Sequence, residues 1–415
     1  MLAGNGESVE ELRQIFTERF GTNKPTHVVT APGRINLIGE HIDYNGLPVF
    51  PMALDRRVTM LLRARDDARV RVLNAYGRYD TLDFTISSPL EPYGDGHWGN
   101  YVKAAAQELL AFSPDLNGFD AVVWSDIPIA AGLSSSSALV VAAALALIRV
   151  NGVSIGRSQL MDLLADAERY VGTKGGGMDQ AISVGALEGT ATKISFDPIR
   201  LTTTAVPDCW RFVVANSLVQ AKKSGSARDA YNQRTSECGE ALRLVLDRLG
   251  SSGEMDSYPE LLAAIPLEQL IAAAREVLTD TLRSRFQHVV TEATRVTEAE
   301  RAMGVADAPE FGRLMSQSHA SLRDDFAVSG PELDELTEIA TSAGALGARL
   351  TGAGFGGCAI ALCTSDTVGD VLRALEKSFY SKREAPDRLE DVLFVARPGG
   401  GAEVRELPTS NGTTS

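Results

Sequence analysis

The run Gly132-Leu133-Ser134-Ser135-Ser136-Ser137 enters the apolar stretch Ala138 to Ile148 without a break. It follows GFDAVVWSDIP (118 to 128), which reads as a strand, so the chain must turn from sheet to helix on a glycine and a row of serines. A helix start presents unpaired N–H groups and a partial positive charge. Glycine admits an anion to the backbone there, and serine hydroxyls can bond phosphate oxygens or Mg²⁺. The competing account is a serine cap that serves only the helix, and four successive serines exceed what a cap needs.

Around this junction the elements mix strand and helix without strict alternation, which predicts an α+β fold. Residues 8 to 21 predict a helix with a capping box at Ser8 and Glu11. THVVTAPGRINLIGEHIDYNG predicts β-rich chain interrupted by Pro, Gly and Asn. A helix is expected from Ser158 to about Val171, then strands at ATKISFDP and RFVVANS, and a largely helical stretch from Arg228 to Met315. A second capping box at Ser329 and Glu332 starts another helix, and a last one falls around 367 to 379. The 415 residues suit two domains, divided near 205: 1–205, 206–405 and a disordered tail, 406–415.

Charge narrows the function classes. Forty basic against 54 acidic residues give a net charge of -14, a poor field for gathering nucleic acid or anionic lipid. No stretch approaches the roughly 20 apolar residues of a membrane span, and the acidic N-terminus does not resemble a secretory signal. Four scattered cysteines without a CxxC argue for reduced thiols and a cytoplasmic setting rather than a zinc site.

Three further clusters carry chemistry. Gly352-Ala-Gly-Phe-Gly-Gly357 satisfies GxGxxG, but the strand-like CAIALC behind it removes the dinucleotide reading, which requires a helix. A tight turn approached by a ligand or another strand fits, as does a purely structural turn. No GxxxxGK[ST] occurs, which excludes a P-loop. Gly175-Gly176-Gly177-Met178-Asp179-Gln180 places a carboxylate behind three glycines, as a general base or equally as a helix cap. Arg34, Asn36, Glu40, His41, Asp43 and Tyr44 interleave with apolar Ile35, Leu37, Ile38 and Ile42. That pattern suits a hydroxyl-rich ligand, with arginine available to a transferring phosphoryl group.

Ala31 to Tyr44 (APGRINLIGEHIDY) resembles the galactokinase signature, and Pro128 to Ala138 the ATP motif shared by the GHMP kinases. Arg349 to Cys358, Val171 to Gln180, and Ser318 to Phe326 with Pro331 to Asp334 are similar to further blocks of that family, in family order from Pro25 to Cys363. The resemblance implies a two-domain GHMP kinase fold: an N-terminal domain like the second domain of ribosomal protein S5, a ferredoxin-like C-terminal domain, and an active site in the cleft. It implies ATP-dependent phosphorylation of the anomeric hydroxyl of galactose, with Mg²⁺.

Carried over by position, Asp179 is the catalytic aspartate with Arg34 beside it, and Glu40, His41, Asp43, Gly176 and Tyr231 contact the sugar. Gly132, Leu133, Ser134, Ser135 and Ser136 form the phosphate loop, Ser135 serves the metal, and Trp98 lies near the adenine. An aspartate beside a cation such as Arg34 is a weak base, so proton transfer should come late. The glycines near the sugar and the four-serine loop also resemble N-acetylgalactosamine kinase, whereas Tyr231 points to galactose. A catalytically silent galactose sensor and a mevalonate- or homoserine-type kinase are further alternatives. Lys174 has no assigned role, and a monomer or weak homodimer without nucleic-acid or membrane partners is expected.

Overall fold

The computed structural model describes residues 9–21, 24–172, 175–220, 226–251 and 253–408. Two sheets organise it. The first contains β1 (His27–Ile38), β2 (Phe50–Ala64), β3 (Arg69–Asn74), β4 (Leu82–Thr85), β5 (Phe119–Ser125) and β12 (Glu403–Glu406), in the order β12-β1-β2-β5-β3-β4. All pairs are antiparallel except β3 with β5. One face carries α1 (Val9–Phe20), whose Leu12 and Phe16 pack on Val28, Leu61 and Val122. Helices α2 (Gly99–Phe112), α3 (Ser135–Asn151), α4 (Arg157–Ala165), α5 (Ala167–Tyr170) and α6 (Met178–Gly185) lie with the main core, next to a hairpin of β6 (Thr190–Ser195) and β7 (Arg200–Ala205). Alternating strand residues thus meet different layers.

The second sheet is β11-β8-β10-β9, from β8 (Trp210–Asn216), β9 (Gly347–Thr351), β10 (Cys358–Thr364) and β11 (Leu393–Ala396), antiparallel throughout. Between β8 and β9 run α7 (Ser226–Leu249), α8 (Tyr258–Ala264), α9 (Leu267–Val277), α10 (Asp280–Gly304), α11 (Ala308–Asp324) and α12 (Pro331–Ser342); α13 (Val368–Ser378) follows β10. Mixed helix and antiparallel sheet agree with the α+β expectation.

Several expectations are corrected. β1 is not interrupted: it runs twelve residues, and its Pro and Asn produce register shifts at Pro32/Arg34 and Asn36/Ile38. The helix expected over 158 to 171 breaks into α4 and α5, and the stretch from 228 to 315 resolves into five helices, the last reaching Asp324. Ser329 does not cap α12, because Pro331 sets its first turn and Gly330 takes the cap position. The Ser329 hydroxyl donates instead to Asp334 Oδ1 at 2.6 Å. The chain returns to the first sheet at its end, with Glu406 opposite His27 and Glu403 opposite Thr30, so 206–405 is not one contiguous unit and Glu406 belongs to a strand. Ser8, Lys174 and residues 409–415 lie outside the described residues. Among the described residues no helix is long and apolar enough to cross a membrane.

Asp120 of β5 anchors the first sheet electrostatically. Its buried carboxylate meets Arg63 Nη2 at 2.5 Å, Arg71 Nε at 2.7 Å and Arg65 Nη1 at 3.2 Å. Burial pushes its pKa up, but hydrogen bonds from Arg71 and Arg63 pull harder and leave it below the ordinary value. Asp120→Ala should destabilise the protein by about 2–4 kcal/mol, the low side of a broken buried pair because the arginines reach solvent. An unchanged denaturation midpoint in urea would show that the cluster is merely solvated charge.

Candidate active site

The starts of α3 and α6 meet beside β1. Asp179, the second residue of α6, is 7% exposed, and Arg34 of β1 is 4% exposed. The guanidinium grips the carboxylate at both ends, Nε to Oδ1 at 2.8 Å and Nη2 to Oδ2 at 3.0 Å. This is the fork geometry of a strong charge-assisted pair. Burial lowers the Arg34 pKa while the charges of Asp179 and Glu40 raise it, and the balance is upward. Arg34 also donates from Nη1 to the Gly132 carbonyl, and its backbone N–H to the Leu133 carbonyl at 3.1 Å. The register shift beside it in β1 aims both groups at the serine loop.

The loop's own chemistry separates the two accounts of its serines. Ser134 holds the cap position of α3 in the left-handed region (φ 59°) and makes no side-chain cap bond. Its hydroxyl donates to Asp179 Oδ2, and that of Ser137 reaches the same oxygen at 3.4 Å. Ser135 and Ser136 line the cleft, and Leu133, at 1% exposed, serves through its backbone. The row of serines therefore does more than cap a helix.

Opposite lies the glycine turn between β9 and β10. A Cβ on Gly352 (φ +86°) would sit 2.6 Å from the Gly132 carbonyl oxygen, and one on Gly357 3.0 Å from that of Ala131. Two backbones pack against each other where neither tolerates a side chain, which explains the GxGxxG spacing without a dinucleotide.

The polar segment after β1 divides its labour. Glu40 is buried: Oε2 takes Asn36 Nδ2 at 2.7 Å and pairs with Arg349 Nη2 at 2.8 Å, while Oε1 takes the Gly352 N–H at 2.5 Å. It ties three elements together at the cleft wall. His41 (φ 62°) has both ring nitrogens engaged, Nε2–H on the Ala353 carbonyl at 3.1 Å and Nδ1 at 3.0 Å from the Tyr44 hydroxyl. Burial and neighbouring His288 hold its pKa near about 3, so it is neutral. Its contribution is the ring, which leans on Tyr231 at 5.4 Å and Phe326 at 4.9 Å. Glu40 and His41, expected at the sugar, both line the cleft, and their polar atoms also bond protein groups. Asp43 is the more open carboxylate, bonded by the Gly176 N–H at 3.2 Å. Desolvation and then the charge of Asp179 push its pKa to about 7.

Cleft-lining residues include Arg34, Glu40, His41, Asp43, Trp98, Gly132, Ser134, Ser135, Ser136, Asp179 and Tyr231, in a volume of about 1990 Å³. Trp98 lies farther along, beside Tyr79 at 5.7 Å, its indole N–H on the Asp80 carbonyl at 3.2 Å. Gly176 does not line the cleft itself; it packs beneath Asp43, where a Cβ would come within 2.4 Å of the Asp43 carbonyl carbon. A Cβ on Gly175 would meet Glu168 Oε2 at 1.9 Å. These glycines are filled by neighbouring chain and do not widen the pocket.

Two residues escaped the sequence reading. Glu168, on short α5, faces the cleft and lies 3.4 Å from the Ser137 hydroxyl. In sequence it sits among Asp166 and Arg169, with nothing to distinguish it from surface charge. Gln180 is fully buried with neither amide atom paired to another protein group, which marks a polar requirement beside Asp179. Among the described residues no group of three or more His, Cys, Asp or Glu is arranged to hold a metal.

Three family models match the chain: the galactokinase galactose-binding signature over residues 14–64, the GHMP kinases N terminal domain over 100–186, and the GHMP kinases C terminal over 299–382. A galactokinase of Roseiflexus sp. (strain RS-1) is 38% identical over 394 residues, covering 94% of this chain and 96% of that protein. The structure of Lactococcus lactis galactokinase complexed with galactose superposes with a TM-score of 0.85 at 33% identity, over 95% of this chain and 99% of that one. Methanococcus jannaschii mevalonate kinase shares the fold, with a TM-score of 0.59 at 19% identity over 90% and 98% of the two chains.

The Asp43 carboxyl gives a pH test. With an ordinary value of 3.8 and a native one of about 7, the folded protein holds a proton that the unfolded chain lacks between these limits. Its stabilising contribution is full below pH 4 and is lost as pH rises through 7. Asp43→Asn should therefore gain thermal stability relative to wild type between pH 5 and pH 8. A difference in melting temperature that stays constant across that range would contradict the shift.

Proposed function

The chain belongs to the galactokinase family of GHMP kinases, and we propose that its cleft moves the γ-phosphoryl group of ATP to the C1 hydroxyl of galactose through the residues that converge on Asp179. The observation that carries this assignment of roles is the Arg34–Asp179–Ser134 junction. It puts a fixed carboxylate, a cation and the start of the serine helix at one point.

Asp179 orients the C1 hydroxyl and accepts its proton. Two arginine nitrogens and a serine hydroxyl already bond the carboxylate, so it is a poor base, and positioning matters more than proton affinity. Arg34 and the first-turn amides of α3 face the transferring oxygens. Asp43 sits on the sugar side, where a pKa near about 7 lets it either donate to or accept from a hydroxyl. Tyr231, packed on His41 and on Tyr44 at 5.5 Å, closes that wall. Trp98, in this reading, borders the base of the nucleotide.

The charge balance supports a divalent cation. With Glu40 offset by Arg349 and Asp179 by Arg34, Glu168 and the partly ionised Asp43 leave negative charge beside the serine loop, which disfavours a bare polyphosphate there. The hard oxygens of Ser135 and Glu168 suit Mg²⁺, which keeps few protein ligands and takes the rest from phosphate and water. Bound there, it would offset the negative charge of the phosphates.

The filled space around Gly175 and Gly176 gives no support to an enlarged pocket for a 2-acetamido sugar. The four cysteines are free, in keeping with a cytoplasmic setting. The net charge of -14 speaks against a nucleic-acid or anionic-membrane partner.

ADP release measured with galactose, N-acetylgalactosamine, glucose and mevalonate at equal concentration should rank galactose first; turnover of mevalonate with galactose inert would overturn the proposal. Asp179→Asn should lower kcat by about 10²–10⁴ while ATP binding, followed by calorimetry, stays close to wild type. Full activity in that variant removes Asp179 from the reaction.

A further inference from the structure

Behind the sugar-side wall, α10 presents two buried polar residues one turn apart, His288 and Glu292, both with no solvent exposure. Each holds the backbone of the segment after β1 and is itself held by neighbouring side chains. The Glu292 Oε1 atom accepts the Gly39 N–H at 2.9 Å and the Ser318 hydroxyl at 2.6 Å, and its Oε2 pairs with Arg295 Nε at 2.7 Å. His288 Nε2 lies 3.0 Å from the Glu40 carbonyl oxygen, which can only accept, so that nitrogen carries the proton. Its Nδ1 is 2.9 Å from Ser321 Oγ.

The segment so held is strained at His41. Gly39 (φ +100°) and His41 (φ 62°) both have positive φ, which glycine adopts freely and a histidine rarely does. A Cβ on Gly39 would come within 2.8 Å of Val296 Cγ2, a neighbour on the same helix. Phe326 joins the two histidines, its ring 4.5 Å from that of His288 and 4.9 Å from that of His41. Gly39 takes a positive φ freely, and the Asn45 amide donates to the His41 carbonyl at 3.2 Å, so local sequence supports part of this path. The remaining backbone partners come from α10, about 250 residues away in sequence: 253 for Gly39 to Glu292 and 248 for Glu40 to His288.

We propose that His288 and Glu292 are positioning residues for galactose: they clamp the backbone of Gly39 and Glu40 in the left-handed turn that sets Asp43 and the His41–Tyr44 wall, so their loss weakens sugar binding and spares the nucleotide. This rests on the assignment of residues 40–43 to the sugar side. The clamp ties the sugar wall to the second half of the chain, which contributes few side chains to that wall directly.

The test uses the full-length enzyme with His288→Ala, Glu292→Ala, His288→Gln and Ser321→Ala. A glutamine amide can reach the same carbonyl, and Ser321→Ala loosens His288 only from behind. The two alanine variants should raise KM for galactose about ten-fold, as expected for losing one hydrogen bond to a charged or buried partner, with KM for ATP within about two-fold. His288→Gln should recover most of that loss. Hydrogen exchange of the peptide spanning residues 35–44 should quicken in the alanine variants while that of β8 stays unchanged. The clamp is refuted if folded alanine variants keep both KM for galactose and the exchange of 35–44. It is equally refuted if kcat and both KM values shift in parallel with no rescue by glutamine, the pattern of a purely structural role. Should the alanine substitutions prevent folding, His288→Gln and Ser321→Ala decide by the same split. Faster exchange at 35–44 in an enzyme inert toward galactose from the outset would support the clamp and sink the functional assignment instead.

Discussion

The buried fork between Arg34 and Asp179 is the constraint that the cleft cannot do without. Taking both charges out of water costs several kcal/mol per ion, and a carboxylate left alone there would protonate. The pair persists because each partner is satisfied further: Asp179 by two serine hydroxyls, Arg34 by the Gly132 carbonyl. Those extra bonds run to the serine loop, so the interaction that holds the Asp179 carboxylate also fixes the start of α3. Sheet, serine-loop helix and carboxylate are placed by one set of contacts. A buried ion pair is a weak source of stability, and here its value is geometric.

Glycine does complementary work from the other side. Gly132 and Gly352 bring two loops from distant parts of the sequence to backbone contact, and Gly352 also donates to Glu40. Glu40 thereby reports on three neighbours at once: the turn, Arg349 of β9 and Asn36 of β1. A side chain used this heavily inside the protein shapes a binding wall chiefly by holding it still. The same is true of His41, whose nitrogens face inward and whose ring faces the cleft.

These two residues show where sequence reading stops. The serine run, the glycine turn and Asp179 were legible because their chemistry is local: a helix start, a positive φ and a carboxylate can be argued from neighbours a few positions away. Residue identity also placed Glu40 and His41 at the site. It could not say whether their polar atoms point at a ligand or at protein, since Arg349 lies 309 positions from Glu40 and Ala353 312 from His41. Glu168 fell below notice for a related reason: a lone acid on a four-residue helix has no pattern. β12 was lost because a four-residue strand pairing across the whole chain has only its partner to define it.

The long-range tie through α10 extends the same logic. Left-handed φ at His41 costs conformational energy, and such strain survives only where surrounding structure over-determines it. Glu292 stays charged because burial, which raises its pKa, is outweighed by Arg295 and His288, leaving it near about 2. An anion so stabilised is a firm acceptor for one backbone N–H. A wall held this way before a ligand arrives converts contacts into affinity by removing the ordering cost of binding. On the proposed reading, selection among sugars would then depend on where contacts from the second half of the chain fix that wall.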